Sequence, residues 1–193
     1  MHRIHVSEGI VLGKRGSGEA HTLVLVLTQD FGLLRAKATS TRVEGSKLRY
    51  GLEPLTHGRF SFVEGKYEWK LTGVEDIDRT LLSAHKENRM AAGRIIKLLQ
   101  RLVRGETEGR ALFSNVRDGL ARLAHADEAL TISSFECIIV LRILSHLGYL
   151  PHTRALATYV EGDLSSAAMA VNAQESRAFL IRTINESLKE TGL

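Results

Sequence analysis

The feature that most constrains this chain is a change of hydrophobic period near residue 78. Before that point, short β-type runs are separated by glycine-bearing turns; after it, apolar residues recur at helical spacing. The switch predicts a two-part α+β protein. Residues 1–78 form a β-domain and residues 79–193 a helical domain, with no internal repeat and no low-complexity tract between or within them.

The first part offers five strands. RIHVSEGIVLGK leads through the turn RGSGEA into HTLVLVLT, apolar throughout and so expected at the centre of a sheet. Gln29-Asp30-Phe31-Gly32 makes a tight connection into GLLRAKAT. After a basic loop, LTHGRFSFVEG turns through Glu64-Gly65 into KYEWKLTGVE, where Tyr67, Trp69 and Leu71 alternate with Lys66, Glu68, Lys70 and Thr72. That alternation predicts a half-buried strand in which Tyr67, Trp69 and Leu71 share one face. Five antiparallel strands with a short helix-like insertion after the third fit a five-stranded OB-type β-barrel; an SH3-like barrel is the competing layout.

The second part reads as an all-α bundle. In KENRMAAGRIIKLLQRLVRG, Ile95, Leu98, Leu99 and Leu102 fall at i, i+3, i+4, i+7, and Arg94, Lys97, Arg101 and Arg104 at i, i+3, i+7, i+10. Gly105 is expected to end that helix. A second helix is predicted over 109–125, a third, apolar nearly all round, over 133–147, and a last over 174–190; residues 153–173 show no clear period.

Charge is unevenly spread along these parts. Residues 1–78 carry 11 bases and 10 acids (net +1), residues 79–124 carry 10 and 4 (net +6), and residues 125–193 carry 5 and 8 (net −3). Within LRAKATSTRVEGSKLR, Arg35, Lys37, Arg42, Lys47 and Arg49 face one acid, Glu44. Strand alternation puts Arg35, Lys37 and Thr39 on one face and Leu34, Ala36 and Ala38 on the other, so the cations continue from strand to loop as a basic ridge. Such a ridge suits a polyanion, because each cation that neutralises a phosphate releases condensed counterions. Aromatics that could stack on unpaired bases beside it are Tyr50, Phe60, Phe62, Tyr67 and Trp69, with Trp69 expected inside. The helical cations Arg94, Lys97, Arg101 and Arg104 could extend that track, receive an acidic partner, or form an ordinary solvated face.

Catalytic constellations do not emerge. GKRGSGE lacks the Lys-Ser/Thr that a phosphate loop needs after its last glycine, and reads as a hairpin turn. The eight histidines are dispersed, with no His-x-x-x-His beside a glutamate. The single cysteine, Cys137, excludes an internal disulfide or a multi-cysteine zinc site, and is expected to behave as a small buried hydrophobe. Asp76 and Asp78 are expected to cap the domain junction. MHRIHVSEGIVLGKRG has neither a long apolar run nor a small-residue cleavage site, and the apolar ISSFECIIVLRILSHLGYL carries Glu136, Arg142 and His146, so a cytoplasmic protein is expected.

The ordered series GIVL, Arg15 with Gly18-Glu19, Thr28, Gly32-Leu33-Leu34, Ala36-Lys37-Ala38, Ser46-Lys47-Leu48 and Leu52-Glu53-Pro54-Leu55 resembles the opening of the RecO family of bacterial recombination mediators. FECIIVLRILSHLGYLPHTRAL resembles the helix before that family's metal-binding region. The resemblance implies an OB-fold followed by a helical domain, no enzymatic activity, and binding of single- and double-stranded DNA with strand annealing. It also implies partnership with RecR and with the acidic tail of single-stranded DNA-binding protein to load recombinase, at the nucleoid. The DNA-binding set it implies is Arg15, Arg35, Lys37, Arg42, Lys47 and Arg49. Leu147-Gly148-Tyr149-Leu150-Pro151 is present but no cysteine follows it, so no zinc or other cofactor is expected; Thr39 stands where glycine is common, so weaker DNA affinity is expected. The alternative is a protein-interaction adapter whose helical basic face docks that acidic tail, with DNA contact incidental.

Overall fold

The computed structural model describes residues 3–17, 21–39, 47–105, 109–164 and 166–190. Packing divides the chain into one unit of Met1–Leu82 with Val103–Phe113, and a second of Ser83–Leu102 with Ser114–Leu193.

The first unit is a closed barrel in the order β1-β2-β3-β5-β4, built from β1 (Ile4–Ser17), β2 (His21–Thr28), β3 (Gly32–Thr39), β4 (His57–Glu64) and β5 (Trp69–Asp78). This is the OB arrangement, not the SH3-like one. One pairing departs from the all-antiparallel expectation: β3 and β5 run parallel through Ala36–Trp69, Lys37–Lys70 and Ala38–Leu71. The helix α1 (Lys47–Gly51) lies in the crossover that makes a parallel neighbour possible.

Closure depends on β1, which pairs with β4 through Ile4–Ile10 and with β2 through Gly9–Ser17. A bulge between Val11 and Gly13 bends it from one neighbour toward the other. Inside, Val11, Val24, Val26, Leu34, Ala36, Phe60, Phe62, Trp69 and Leu71 form one buried cluster. Gly9 admits the wider rings: a Cβ there would sit 2.7 Å from Val26 Cγ1 and 3.0 Å from Phe60 Cδ2. Phe60 and Phe62 are fully buried, each worth about 1.5–3 kcal/mol of transfer free energy. The inner rings are therefore core, as expected for Trp69 and unlike the stacking role considered for Phe60 and Phe62.

The return segment Val103–Phe113 belongs to this unit. Leu33 N–H donates to Gly105 O at 3.4 Å, the Phe113 ring lies 6.4 Å from His57, and Arg110 reaches Asp30 at 2.5 Å. Asp30 in turn accepts from Ser7 Oγ at 2.9 Å, which fixes the β2–β3 turn to β1. The short helix α2 (Thr80–Ser83) is opened by Asp78, whose carboxylate accepts from Thr80 N–H at 2.8 Å. Asp76 does not cap; it is held by Arg59 at 3.1 Å in a left-handed conformation (φ 49°) within a bulge.

The second unit packs around α5 (Ala129–His146), longer at its start than the spacing predicted, with Phe135, Ile138, Ile139, Leu141, Ile143 and Leu144 buried. α5 is long and apolar enough to cross a membrane by length and composition, but half of it is buried in this unit. Around it lie α3 (Lys86–Leu102), α6 (Arg154–Glu161), α7 (Ala167–Glu175) and α8 (Arg177–Glu190), with α4 (Arg110–Ala124) belonging here from Ser114 on. The aperiodic stretch 153–173 holds α6 and most of α7. Asn88 on α3, fully buried, donates to Leu123 O and Ala126 O at 2.6 and 2.8 Å, satisfying carbonyls at the end of α4.

Arg142 is a buried cation of this unit. Its Nε donates to Tyr159 O at 2.8 Å, its second terminal nitrogen to Gly162 O, and its first to Asn115 Oδ1 at 3.2 Å. Burial lowers its pKa, against the raising influence of Asp163 and Asp118. A guanidinium with five donors can finish the carbonyls at the end of α6 while lying against the apolar α5.

Candidate nucleic-acid interface

The outer surface of the barrel gathers cations from strands distant in sequence. On β3, Leu34, Ala36 and Ala38 point into the barrel, whereas Arg35 and Thr39 are exposed and Lys37 is half-buried. Lys37 is paired with Leu23 on β2 and with Lys70 on β5, and Leu23 is paired with Arg15 on β1. Directly paired residues share a sheet face. Arg15, Leu23, Lys37 and Lys70 therefore form one row across four neighbouring strands, about 14 Å wide at the usual strand spacing. Arg35 stands beside the row, paired with Leu25. At the far side, Lys70 faces Val63 on β4, which faces the exposed Ile4.

Ion pairing distinguishes most cations of this row from Lys14 and Arg59 elsewhere on the barrel. Lys14 is engaged by Glu53 at 2.6 Å, and Arg59 by Glu75 and Asp76, each at 3.1 Å. Among the described residues, Arg15, Arg35 and Lys70 have no carboxylate within ion-pair distance, and Lys37 has one, Glu68, at 3.5 Å. Among the described residues, the positive charge over β1, β2, β3 and the start of β5 is thus largely unpaired.

Of the sequence-derived set, the fold brings Arg15, Arg35 and Lys37 together. Arg42 lies outside the described residues, and for Lys47 and Arg49 the description is of their backbone, in α1. Lys70 was not among the candidates, although its outward position was legible from alternation. Its partnership with Lys37 follows from the parallel β3–β5 ladder, which strand patterning does not encode.

Tyr67 departs from its expected place. β5 begins at Trp69, and Tyr67 lies in the preceding turn with 87% of its surface exposed. Gly65 N–H donates to Glu68 O at 3.0 Å, so the chain reverses where the alternation suggested a strand. A Cβ at Gly65 would meet that carbonyl oxygen at 2.7 Å, so the turn requires glycine. Tyr50, on α1, is also exposed.

The four helical cations do not form one stripe. α3 ends at Leu102, Val103 is buried, and Arg104 falls in the first unit. Arg94 is clasped by Glu136, with Nε to Oε1 at 2.6 Å and the second nitrogen to Oε2 at 2.7 Å, and the bond raises its pKa. Lys97 and Arg101 are exposed and, among the described residues, without a carboxylate partner. Cys137 is buried, and burial is the main influence raising its thiol pKa. Among the described residues, no three His, Cys, Asp or Glu side chains converge as a metal site.

The comparisons agree with the barrel and extend beyond it. The family model described as Recombination protein O N terminal matches residues 1–78. The DNA repair protein RecO of Heliobacterium modesticaldum is 31% identical over 150 residues, covering 77% of this chain and 53% of that protein. RecO of Roseiflexus sp. is 32% identical over 152 residues, covering 77% and 52%. RecO of Bifidobacterium adolescentis is 30% identical over 171 residues, covering 86% and 68%. The chain thus spans about half the length of the first two relatives. An OB barrel matched along its whole length, followed by likeness that continues into the helices, places this chain in the RecO family of DNA repair proteins.

Proposed function

We propose that this chain is a non-catalytic recombination mediator that binds single- and double-stranded DNA along the cation row of its barrel and promotes strand annealing. In this reading residues 1–78 are the DNA-binding domain. Residues 79–193 are the helical domain that meets a RecR-like mediator and the acidic tail of single-stranded DNA-binding protein, and the complex loads recombinase at the nucleoid in the cytoplasm. The observation that supports it is the cross-strand row Arg15–Lys37–Lys70 with Arg35 beside it, mostly without carboxylate partners among the described residues. Two complementary strands repel each other through their phosphates, and a fixed array of cations lowers that repulsion while leaving base edges free to pair.

The test is binding of the chain to labelled single and double strands over a range of salt. The triple variant Arg15→Ala, Arg35→Ala, Lys70→Ala removes exposed side chains and should leave the fold intact. Its salt slope should flatten by about two to three units, since each neutralised duplex phosphate contributes roughly 0.9. Annealing should slow in parallel. An unchanged slope would overturn the assignment.

A second reading is supported by Lys97 and Arg101 on α3, exposed and, among the described residues, without a carboxylate partner. Here the chain is an adapter whose helical face takes an acidic peptide. Titration with an acidic-tail peptide, repeated with Lys97→Ala and Arg101→Ala, separates this role from DNA contact.

A further inference from the structure

The turn that leads into β5 carries an aromatic ring that the packing of the barrel does not use. Tyr67 is 87% exposed, yet it sits on a turn held by the Gly65 N–H to Glu68 O bond. The Lys66 ammonium lies 5.1 Å from its ring centroid. The next residue, Glu68, reaches Lys37 at 3.5 Å, so the turn is tied to the centre of the cation row. An exposed aromatic on a flexible loop would lose entropy when it engaged a ligand; this one starts from a constrained backbone and loses less.

We infer that Tyr67 is a stacking platform for one unpaired base of a single strand whose phosphates lie on the Arg15–Lys37–Lys70 row. The inference rests on the DNA-binding reading above and deepens it by assigning the discrimination between single and double strands to one residue. In a duplex the base faces are already stacked on their neighbours and a protein ring gains nothing from them. In a single strand a base face is available, and the adjacent Lys66 adds a cation that can approach a phosphate or the same π-system. The cations treat both forms alike; the ring does not.

The experiment measures binding of the full chain to an oligothymidine single strand and to a duplex of equal length. A single strand carrying one 2-aminopurine serves as a spectroscopic probe, since stacking quenches its fluorescence. Tyr67→Ala should weaken single-strand binding roughly tenfold and abolish the quench, leaving duplex affinity and both salt slopes as in the parent chain. Tyr67→Phe keeps the ring face and should behave as the parent. Equal loss on both DNA forms, or a quench that survives in Tyr67→Ala, would overturn the inference. Failure of the underlying reading looks different: the parent chain itself would show no salt-dependent binding to either form.

Discussion

Lys37 Nζ lies 3.5 Å from Glu68 Oε1, across the parallel ladder that joins β3 to β5. In the proposed DNA-binding role, the carboxylate competes with a phosphate oxygen for the central cation of the row. With side-chain exposures of 30% and 46%, this pair is worth less than about 1 kcal/mol. Glu68→Gln should therefore raise DNA affinity about two- to fivefold, and steepen the salt slope by less than one unit. Fluorescence anisotropy at several salt concentrations reads both. No change in either would place Lys37 away from the phosphates.

Arg94 predicts the opposite pattern. Its fork is spent on Glu136, whose side chain is only 19% exposed, so its removal is a matter of stability. Arg94→Met should lower the stability of the helical unit by about 1 kcal/mol or less, given the exposure of the arginine itself. DNA affinity should not move. Thermal unfolding and the same anisotropy titration give the two readouts.

These two residues mark what patterning can and cannot reveal. Period alone located β2 and β3 to the residue, because an apolar run and a strict alternation leave little freedom in where a strand sits. It placed Arg35 and Lys37 outward for the same reason. It did not reveal which cations meet acids: Arg94 and Glu136 are 42 positions apart, and only the packing of α3 on α5 brings them together. Nor did it reveal that Lys70 adjoins Lys37, a pairing set by the parallel β3–β5 ladder. The strand was expected to start before Tyr67 because an alternation over residues 66–72 cannot distinguish a strand from a turn that enters one; β5 starts at Trp69, after the turn at Gly65.

Arg142 ties the end of α6 to α5. Arg142→Met fills similar volume but leaves the carbonyls of Tyr159 and Gly162 without their donor in a buried setting. The loss should be about 3 kcal/mol, measured as a shift in the denaturant midpoint. Binding to the barrel should be unaffected in the fraction that remains folded.

His146 should make stability depend on pH. Arg142 donates to Asn115 Oδ1, which turns the Asn115 amide nitrogen toward His146 Nε2 at 2.7 Å. Nε2 must then accept, so the ring is neutral with its proton on Nδ1. Burial first, and the Arg142 charge second, lower its pKa from the ordinary 6.5. Well above pH 6.5 the ring is neutral in both folded and unfolded chains and contributes no slope. As pH falls below that value the unfolded chain takes up a proton that the folded chain resists, so stability declines until the lowered folded pKa is reached. The ring is desolvated on its Asn115 and Arg142 side while the residue as a whole stays partly open to solvent, so the decline is shallow. His146→Gln retains an acceptor for Asn115 without a titrating group, and should remove that part of the slope. Denaturant unfolding of both chains on either side of pH 6.5 checks it, and identical pH dependence would mean the Asn115 contact does not hold the ring neutral.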